Sequence, residues 1–86
     1  MKLWLLRPKE DLPDKNNPWE PGFDCCFGFV VRAKTESDAR GMVYGNTGDE
    51  REYKGACPWS NPWLSTCVEL TAKGPTGIII RDFRSA

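Results

Sequence analysis

Four short runs of apolar residues divide the chain, and each is predicted to form a strand. The third run alternates between apolar and polar positions, and the fourth is rich in β-branched residues. The first run ends at Pro8, which has no backbone N–H to donate to a neighbouring strand. A short turn rich in Gly and Pro joins the third and fourth runs, which predicts a hairpin. The predicted strands are residues 2–7, 26–34, 64–71 and 78–83.

The second run, residues 26–34, has the strongest strand pattern in the chain. Because apolar residues occupy both of its faces, we expect a central strand that is buried on both sides. Gly28 lies inside it and predicts a ring or a backbone packed closely over that position. One face carries Phe27, Phe29, Val31 and Ala33, and the other carries Cys26 and Val30.

A short helix is expected between the second and third strands. The hydroxyl of Thr35 can accept a hydrogen bond from a free backbone N–H, and the acidic residues that follow suit the positive end of a helix dipole. Ala39, Met42 and Val43 then form a narrow apolar stripe at helical spacing. The expected helix spans Glu36–Tyr44, and so short a helix depends on packing against the sheet.

These elements predict one α+β domain over residues 1–86. Its expected architecture is a single four-stranded, mainly antiparallel sheet with one helix on one face, in the chain order β-β-α-β-β. The 86 residues leave room for one core only. The proline-rich or polar stretches 8–24 and 46–62 are expected to be loops.

Charge and the N-terminal pattern narrow the functional classes. The 12 basic and 12 acidic residues give a net charge of zero, which argues against a nucleic-acid binder with a strong basic field and against an acidic mimic of DNA. The apolar run near the N-terminus is shorter than the about 7–15 residues of a secretory leader. We therefore expect a cytoplasmic protein that does not enter a membrane.

The chain contains no histidine, and this absence excludes several kinds of catalytic and metal-binding site. Ser–His and Cys–His nucleophilic pairs and histidine metal ligands are excluded, as is the side chain best suited to proton transfer near neutral pH. The carboxylates show no recognisable catalytic spacing, and no glycine loop is typical of phosphate binding. The sequence therefore predicts neither enzyme activity nor a cofactor.

Four cysteines allow three interpretations: a zinc site, disulfides or free thiols. Structural zinc sites usually supply cysteines in pairs two to four residues apart, a spacing that this chain lacks. Disulfides are rare in the reducing cytoplasm. Free thiols are thus favoured, and the metal candidates are Cys25, Cys26, Cys57 and Cys67.

Three of the four tryptophans directly follow proline and lie in predicted loops. Proline restricts the backbone before each indole, so each ring is presented with little conformational freedom to lose. In one interpretation, at least two of the rings cover the sheet face opposite the helix. In the other, one or two stay exposed and form a recognition surface, as tryptophans do in many interfaces. The three residues are Trp19, Trp59 and Trp63.

The chain also resembles a group of small proteins from bacterial genomes, prophages and phages. The resemblance covers most of the chain and lies in the stretches LWLLRP, NPWEP, FGFVVRA followed by TESDAR, WLSTCVEL and GIIIRDF. It includes no motif of established chemistry, so it assigns no catalytic or ligand residue. It implies a mobile-element accessory protein that inhibits a host protein, with defence complexes such as CRISPR effectors among the targets.

The main functional hypothesis is therefore a non-catalytic module that binds a host protein. Acidic residues near the second Pro-Trp pair suit a protein partner better than nucleic acid. The alternatives are a binder of a nucleotide-type ligand between an indole and the sheet, and a thiol or zinc site. The protein is expected to be a monomer or a homodimer through a free sheet edge. The predicted contact residues are Trp19, Trp59, Trp63, Glu50 and Glu52.

Overall fold

A three-stranded antiparallel sheet with one helix packed on it forms the fold, in a computed structural model that describes residues 1–13, 17–19 and 24–83. The sheet order is β2-β1-β3, and β1 pairs antiparallel with both neighbours. The small α+β class is thus confirmed. The elements are β1 (Lys2–Pro8), β2 (Phe29–Ala33), α1 (Glu36–Tyr44), two 3-10 helices (Asp49–Gly55 and Pro58–Ser60) and β3 (Ser65–Leu70).

The predicted fourth strand, and with it the order β-β-α-β-β and the closing hairpin, is wrong. Residues 78–83 form no strand, and every residue from 71 to 83 is exposed. This C-terminal segment lies beside β1 and β2, where Ile80 and Asp82 come close to the sheet. Consecutive isoleucines give high β-propensity but do not alternate with polar residues, so they do not specify which edge to join. An ion pair of 3.9 Å between Asp82 and Arg7 favours the position beside β1.

The central strand is β1, so the expectation that residues 26–34 form a central strand buried on both faces is wrong. β2 is an edge strand, aligned so that Phe29 lies opposite Leu6 of β1, and Val30 on its other face is exposed. The strand also begins later than predicted. The Cys26 N–H donates to the Glu50 carboxylate, 3.1 Å from Oε1, and not to a strand.

The nearest neighbours of Gly28 among the described residues are an arginine stem and a carbonyl, and not a ring. A Cβ at Gly28 would lie 3.4 Å from Cδ of Arg7 and 3.6 Å from the carbonyl oxygen of Leu6. These are ordinary contact distances, so the position does not require glycine, and the Arg7 stem lies against the backbone before β2.

The bounds of α1 and its N-cap are as predicted. The Asp38 N–H donates to the hydroxyl of Thr35 at 3.1 Å, which satisfies one of the free N–H groups at the start of the helix. The predicted apolar stripe is right for Ala39 and Val43, which are buried. It is wrong for Met42, which is exposed. The third buried residue of α1 is the charged Arg40, so the buried face of the helix turns away from Met42.

The core lies between α1 and the sheet, and Trp59 is its largest fully buried side chain. The Trp59 ring packs edge-on against Trp19 and Phe29, with ring centroids 4.8 and 5.0 Å apart. Such edge-to-face pairs add to the stabilisation that comes from burial alone. The buried apolar residues are Leu6, Trp19, Val31, Ala33, Ala39, Val43, Cys57 and Trp59.

The charged residue on the inward face of α1 is Arg40, whose guanidinium joins three elements. Nη1 donates to the carbonyl of Trp59 and to the hydroxyl of Ser65, both at 2.8 Å, and Nη2 donates to the Ser65 carbonyl at 3.1 Å. Nε donates to Glu36 at 3.0 Å, and the Ser65 hydroxyl donates onward to the Pro58 carbonyl at 2.8 Å. Arg40 thus connects α1, the second 3-10 helix and the start of β3.

Replacement of this guanidinium should destabilise the protein strongly. Arg40→Lys keeps the charge, but one ammonium cannot reproduce a planar fork of donors to four acceptor atoms. We expect the free energy of unfolding to fall by about 2–3 kcal/mol. In the control Glu36→Gln, only a half-exposed ion pair is lost, so the fall should stay below about 1 kcal/mol. Urea unfolding followed by circular dichroism measures both, and equal effects would contradict the role of Arg40.

Candidate functional site

The structure separates the three tryptophans that follow proline according to burial. Trp19 is 6% exposed and Trp59 is fully buried, whereas Trp63 is 78% exposed. The expected burial of at least two rings is found for Trp19 and Trp59, although not on the predicted face opposite the helix, and the alternative of an exposed ring fits Trp63.

The two buried rings lie on a different side of the sheet from the one predicted. They belong to the same core cluster as Ala39 and Val43 of α1, so they pack on the helix side and not on the opposite face. The opposite face therefore keeps apolar side chains at the surface. Val30 and Val68 on this face are both exposed.

The indole N–H groups of both buried tryptophans donate hydrogen bonds within the fold. Nε1 of Trp19 donates to the carbonyl of Leu64 at 3.1 Å, and Nε1 of Trp59 donates to Oε2 of Glu50 at 2.7 Å. Glu50 itself is only 3% exposed. The candidate contact surface is corrected accordingly: Trp19, Trp59 and Glu50 present almost no surface to a partner. Trp63 and Glu52 are the predicted contact residues that lie at the surface.

A repeated Asn-Pro-Trp motif forms the same local turn before Trp19 and before Trp63. The side-chain oxygen of Asn17 accepts from the N–H of Trp19 at 2.9 Å, and that of Asn61 accepts from the N–H of Trp63 at 2.9 Å. An asparagine that bonds the backbone two residues later forms a local turn. The sequence reasoning used the Pro-Trp pairs and missed the asparagines, although the repeat was visible in the sequence.

The turn that carries Trp63 is held by several further hydrogen bonds. The N–H groups of Leu64 and Ser65 both donate to the carbonyl of Asn61 at 3.0 Å. The Asn61 N–H donates to the carbonyl of Pro58 at 3.1 Å, and this carbonyl also accepts from the Ser65 hydroxyl. Because Ser65 in turn accepts from Arg40, the turn is connected to the buried guanidinium. Trp63 is therefore an exposed ring on a fixed backbone.

A groove of about 550 Å³ lies between α1 and this turn. Gly41 and Ser37 of α1 form part of one wall, and Ser60 and Pro62 form part of the other. A Cβ at Gly41 would have no atom within 4 Å, so this part of the helix surface is open. We call the groove together with the exposed indole of Trp63, which follows the lining residue Pro62 in the chain, the Trp63 surface.

Glu50 organises a separate, structural cluster. Its carboxylate accepts from the Cys26 N–H at 3.1 and 3.3 Å. The same chain segment is fixed by the Asp49 N–H, which donates to the carbonyl of Asp24 at 2.9 Å. A Cβ at Gly48 would lie 2.0 Å from that carbonyl oxygen, so only glycine permits this approach. Glu50 therefore fixes residues 24–26 against the loop after α1.

The four cysteines are all free. Partial burial raises the pKa of the thiols of Cys25 and Cys26, and the negative charge of Glu50 raises both further. Burial also raises the pKa of Cys67, and Cys57 is buried in the core. Within the described ranges, no three acidic, cysteine or histidine side chains are placed to hold a metal ion.

Comparisons of the chain with protein-family models, with curated proteins and with solved structures gave no match. Among residues 1–13, 17–19 and 24–83, no helix has the length and apolar content needed to cross a membrane. The candidate site is therefore judged on its geometry alone.

The two glutamates predicted as contact residues should differ sharply in their effect on stability. Glu50→Gln places an amide, with one acceptor and two donors, against the N–H groups of Trp59 and Cys26. We expect the free energy of unfolding to fall by about 2 kcal/mol. Glu52→Gln is the matched control at an exposed position and should change it by less than about 0.5 kcal/mol. Chemical unfolding of both variants checks this, and a tolerated Glu50→Gln would contradict the structural role.

Thiol reactivity should follow the raised pKa values. At pH 8 a smaller fraction of Cys25, Cys26 and Cys67 is thiolate than in an unfolded chain, and thiolate is the reactive form. We expect alkylation by iodoacetamide, mapped by mass spectrometry, to be slower in the folded protein than in urea, and to accelerate as the pH rises above 9. Faster alkylation of the folded thiols would contradict these shifts.

Proposed function

We propose that the protein is a non-catalytic binding module that recognises a protein partner through the Trp63 surface. The observation that supports this most is the 78% exposure of an indole whose backbone is fixed by a hydrogen-bonded turn. Tryptophan is strongly enriched among the residues that dominate binding energy in protein interfaces. A fixed backbone reduces the conformational entropy that is lost when the partner binds.

The glycine in the groove supports the same proposal. Gly41 lies inside α1, where glycine costs about 1 kcal/mol relative to alanine. No atom lies within 4 Å of the position that a Cβ would take, so packing within the chain does not require glycine. A missing side chain in the groove next to the turn that carries Trp63 allows the backbone of a partner to come close to the helix.

The chemistry around Trp63 favours a protein over nucleic acid as the partner. Single-stranded nucleic acids stack on aromatic rings within a positively charged groove. The charged side chains that line the groove are Glu36 and Arg40, which pair with each other at 3.0 Å and give no net positive charge. That the partner is a host protein or a defence complex stays a prediction from the resemblance, and the cytoplasmic location stays a prediction from the N-terminal sequence pattern.

Loss of the indole should weaken partner binding strongly without unfolding the protein. Peptides selected from a displayed random library against the immobilised protein provide the probe, and calorimetry gives their affinity. Trp63→Ala should weaken a peptide that binds the Trp63 surface by about 30-fold, the effect of losing about 2 kcal/mol at an interface hot spot. Gly41→Ala should weaken it too, while it raises the free energy of unfolding by about 1 kcal/mol.

Val68→Ala is the control, since it removes an exposed apolar side chain from the other face of the sheet. It should leave the affinity unchanged, and far-UV circular dichroism should be the same for all variants. If every selected peptide binds the Trp63→Ala protein as tightly as the original, the proposal is wrong.

A further inference from the structure

The face of the sheet turned away from α1 contains a cavity that is separate from the Trp63 surface. It has a volume of about 380 Å³ and lies between β1, β2 and the C-terminal segment. This volume falls within the range of about 300–1,000 Å³ that is usual for small-molecule sites. Apolar residues form most of its lining: Leu5, Phe27, Phe29, Val30 and Ile80. The ring of Phe29 itself packs on the other side, against Trp59.

One guanidinium lies at this cavity. The Arg7 side chain is 24% exposed, and its stem packs over Gly28. Its Nη2 lies 3.9 Å from Oδ1 of Asp82, which also lines the cavity. Charge-assisted hydrogen bonds between these groups are usually about 2.7–2.9 Å long, so this contact is an ion pair without a direct hydrogen bond. A carboxylate in better geometry can therefore replace that of Asp82.

Asp82 is also poorly anchored. Its side chain is 56% exposed, and it belongs to a segment in which every residue from 71 to 83 is exposed. The described residues of this segment form no strand with the sheet. Displacement of Asp82 from Arg7 thus breaks little other structure.

We propose that this cavity binds a small apolar monocarboxylate, with an aromatic or branched body. The ligand carboxylate takes the place of Asp82 and accepts a bidentate pair of hydrogen bonds from Arg7, whose planar fork matches its geometry. The body packs against Leu5, Val30 and Ile80. A phosphate is a poorer fit, because phosphate sites usually cluster several cations.

The test titrates the full chain with phenylacetate and, separately, with the uncharged phenylacetamide, followed by backbone NMR chemical shifts. Phenylacetate should saturate with a dissociation constant of about 1 mM or tighter, with the largest shifts at the cavity residues. The amide matches its shape but has no charge, so it should bind at least about tenfold more weakly.

Two substitutions test the charges. Asp82→Asn removes the competing carboxylate and should tighten phenylacetate binding about fivefold, whereas Arg7→Gln should weaken it at least about tenfold. Circular dichroism checks that Arg7→Gln folds; if it does not, the amide and Asp82→Asn decide the outcome. Trp63→Ala should leave this affinity unchanged, because the Trp63 surface is elsewhere.

Equal binding of the acid and the amide would overturn the proposal, as would unsaturable binding of phenylacetate. So would an Asp82→Asn protein that binds no more tightly than the original. Adenosine monophosphate serves as a further probe and should cause no saturable shifts at the cavity. If it binds there more tightly than phenylacetate, the site takes a nucleotide-type ligand and the carboxylate proposal is wrong.

Discussion

The fold depends on one buried cation, the guanidinium of Arg40. A charge on the inward face of a helix is unfavourable unless its donors are satisfied, and here the partners come from two other elements of the chain. These partners are the carbonyl of Trp59 and both polar groups of Ser65. The helix, the second 3-10 helix and β3 therefore reach their positions together. Because Ser65 also bonds the turn after that 3-10 helix, the same guanidinium helps to fix the backbone that presents Trp63.

The two copies of the Asn-Pro-Trp motif differ in the burial of their tryptophan, because their tertiary surroundings differ. Asn17 and Asn61 bond the backbone of the following tryptophan in the same way. Trp19 finds an acceptor, the carbonyl of Leu64, and an aromatic neighbour in the core, so its ring contributes to stability. The Trp63 ring is 78% exposed, although hydrogen bonds hold the backbone that carries it. This exposed ring on a fixed backbone is the feature on which the proposed binding function rests.

Local signals predicted the local structure well. The cap at Thr35 and the bounds of α1 follow from side chains close together in the sequence. The apolar run that ends at Pro8 identified β1, and the alternation of residues 64–71 identified β3. The predictions that were wrong concerned contacts between residues far apart in the sequence. The isoleucines of residues 78–83 have high β-propensity, but propensity does not say whether a strand edge is available. Likewise, the sequence around Arg40 is that of a solvent-exposed charge, because its partners Ser65 and Trp59 are distant in the chain. The local sequence also does not distinguish the buried Trp19 from the exposed Trp63.

The proposed function depends on two properties of Trp63: its ring is exposed, and hydrogen bonds hold its backbone. The backbone order parameter of its amide, from nitrogen-15 relaxation of the free protein, tests this most directly. The account predicts a value of about 0.85, equal to that of the strands, because Asn61 holds this amide. A value below about 0.6, typical of a flexible loop, would contradict it, since a mobile backbone would not hold the indole in place for a partner.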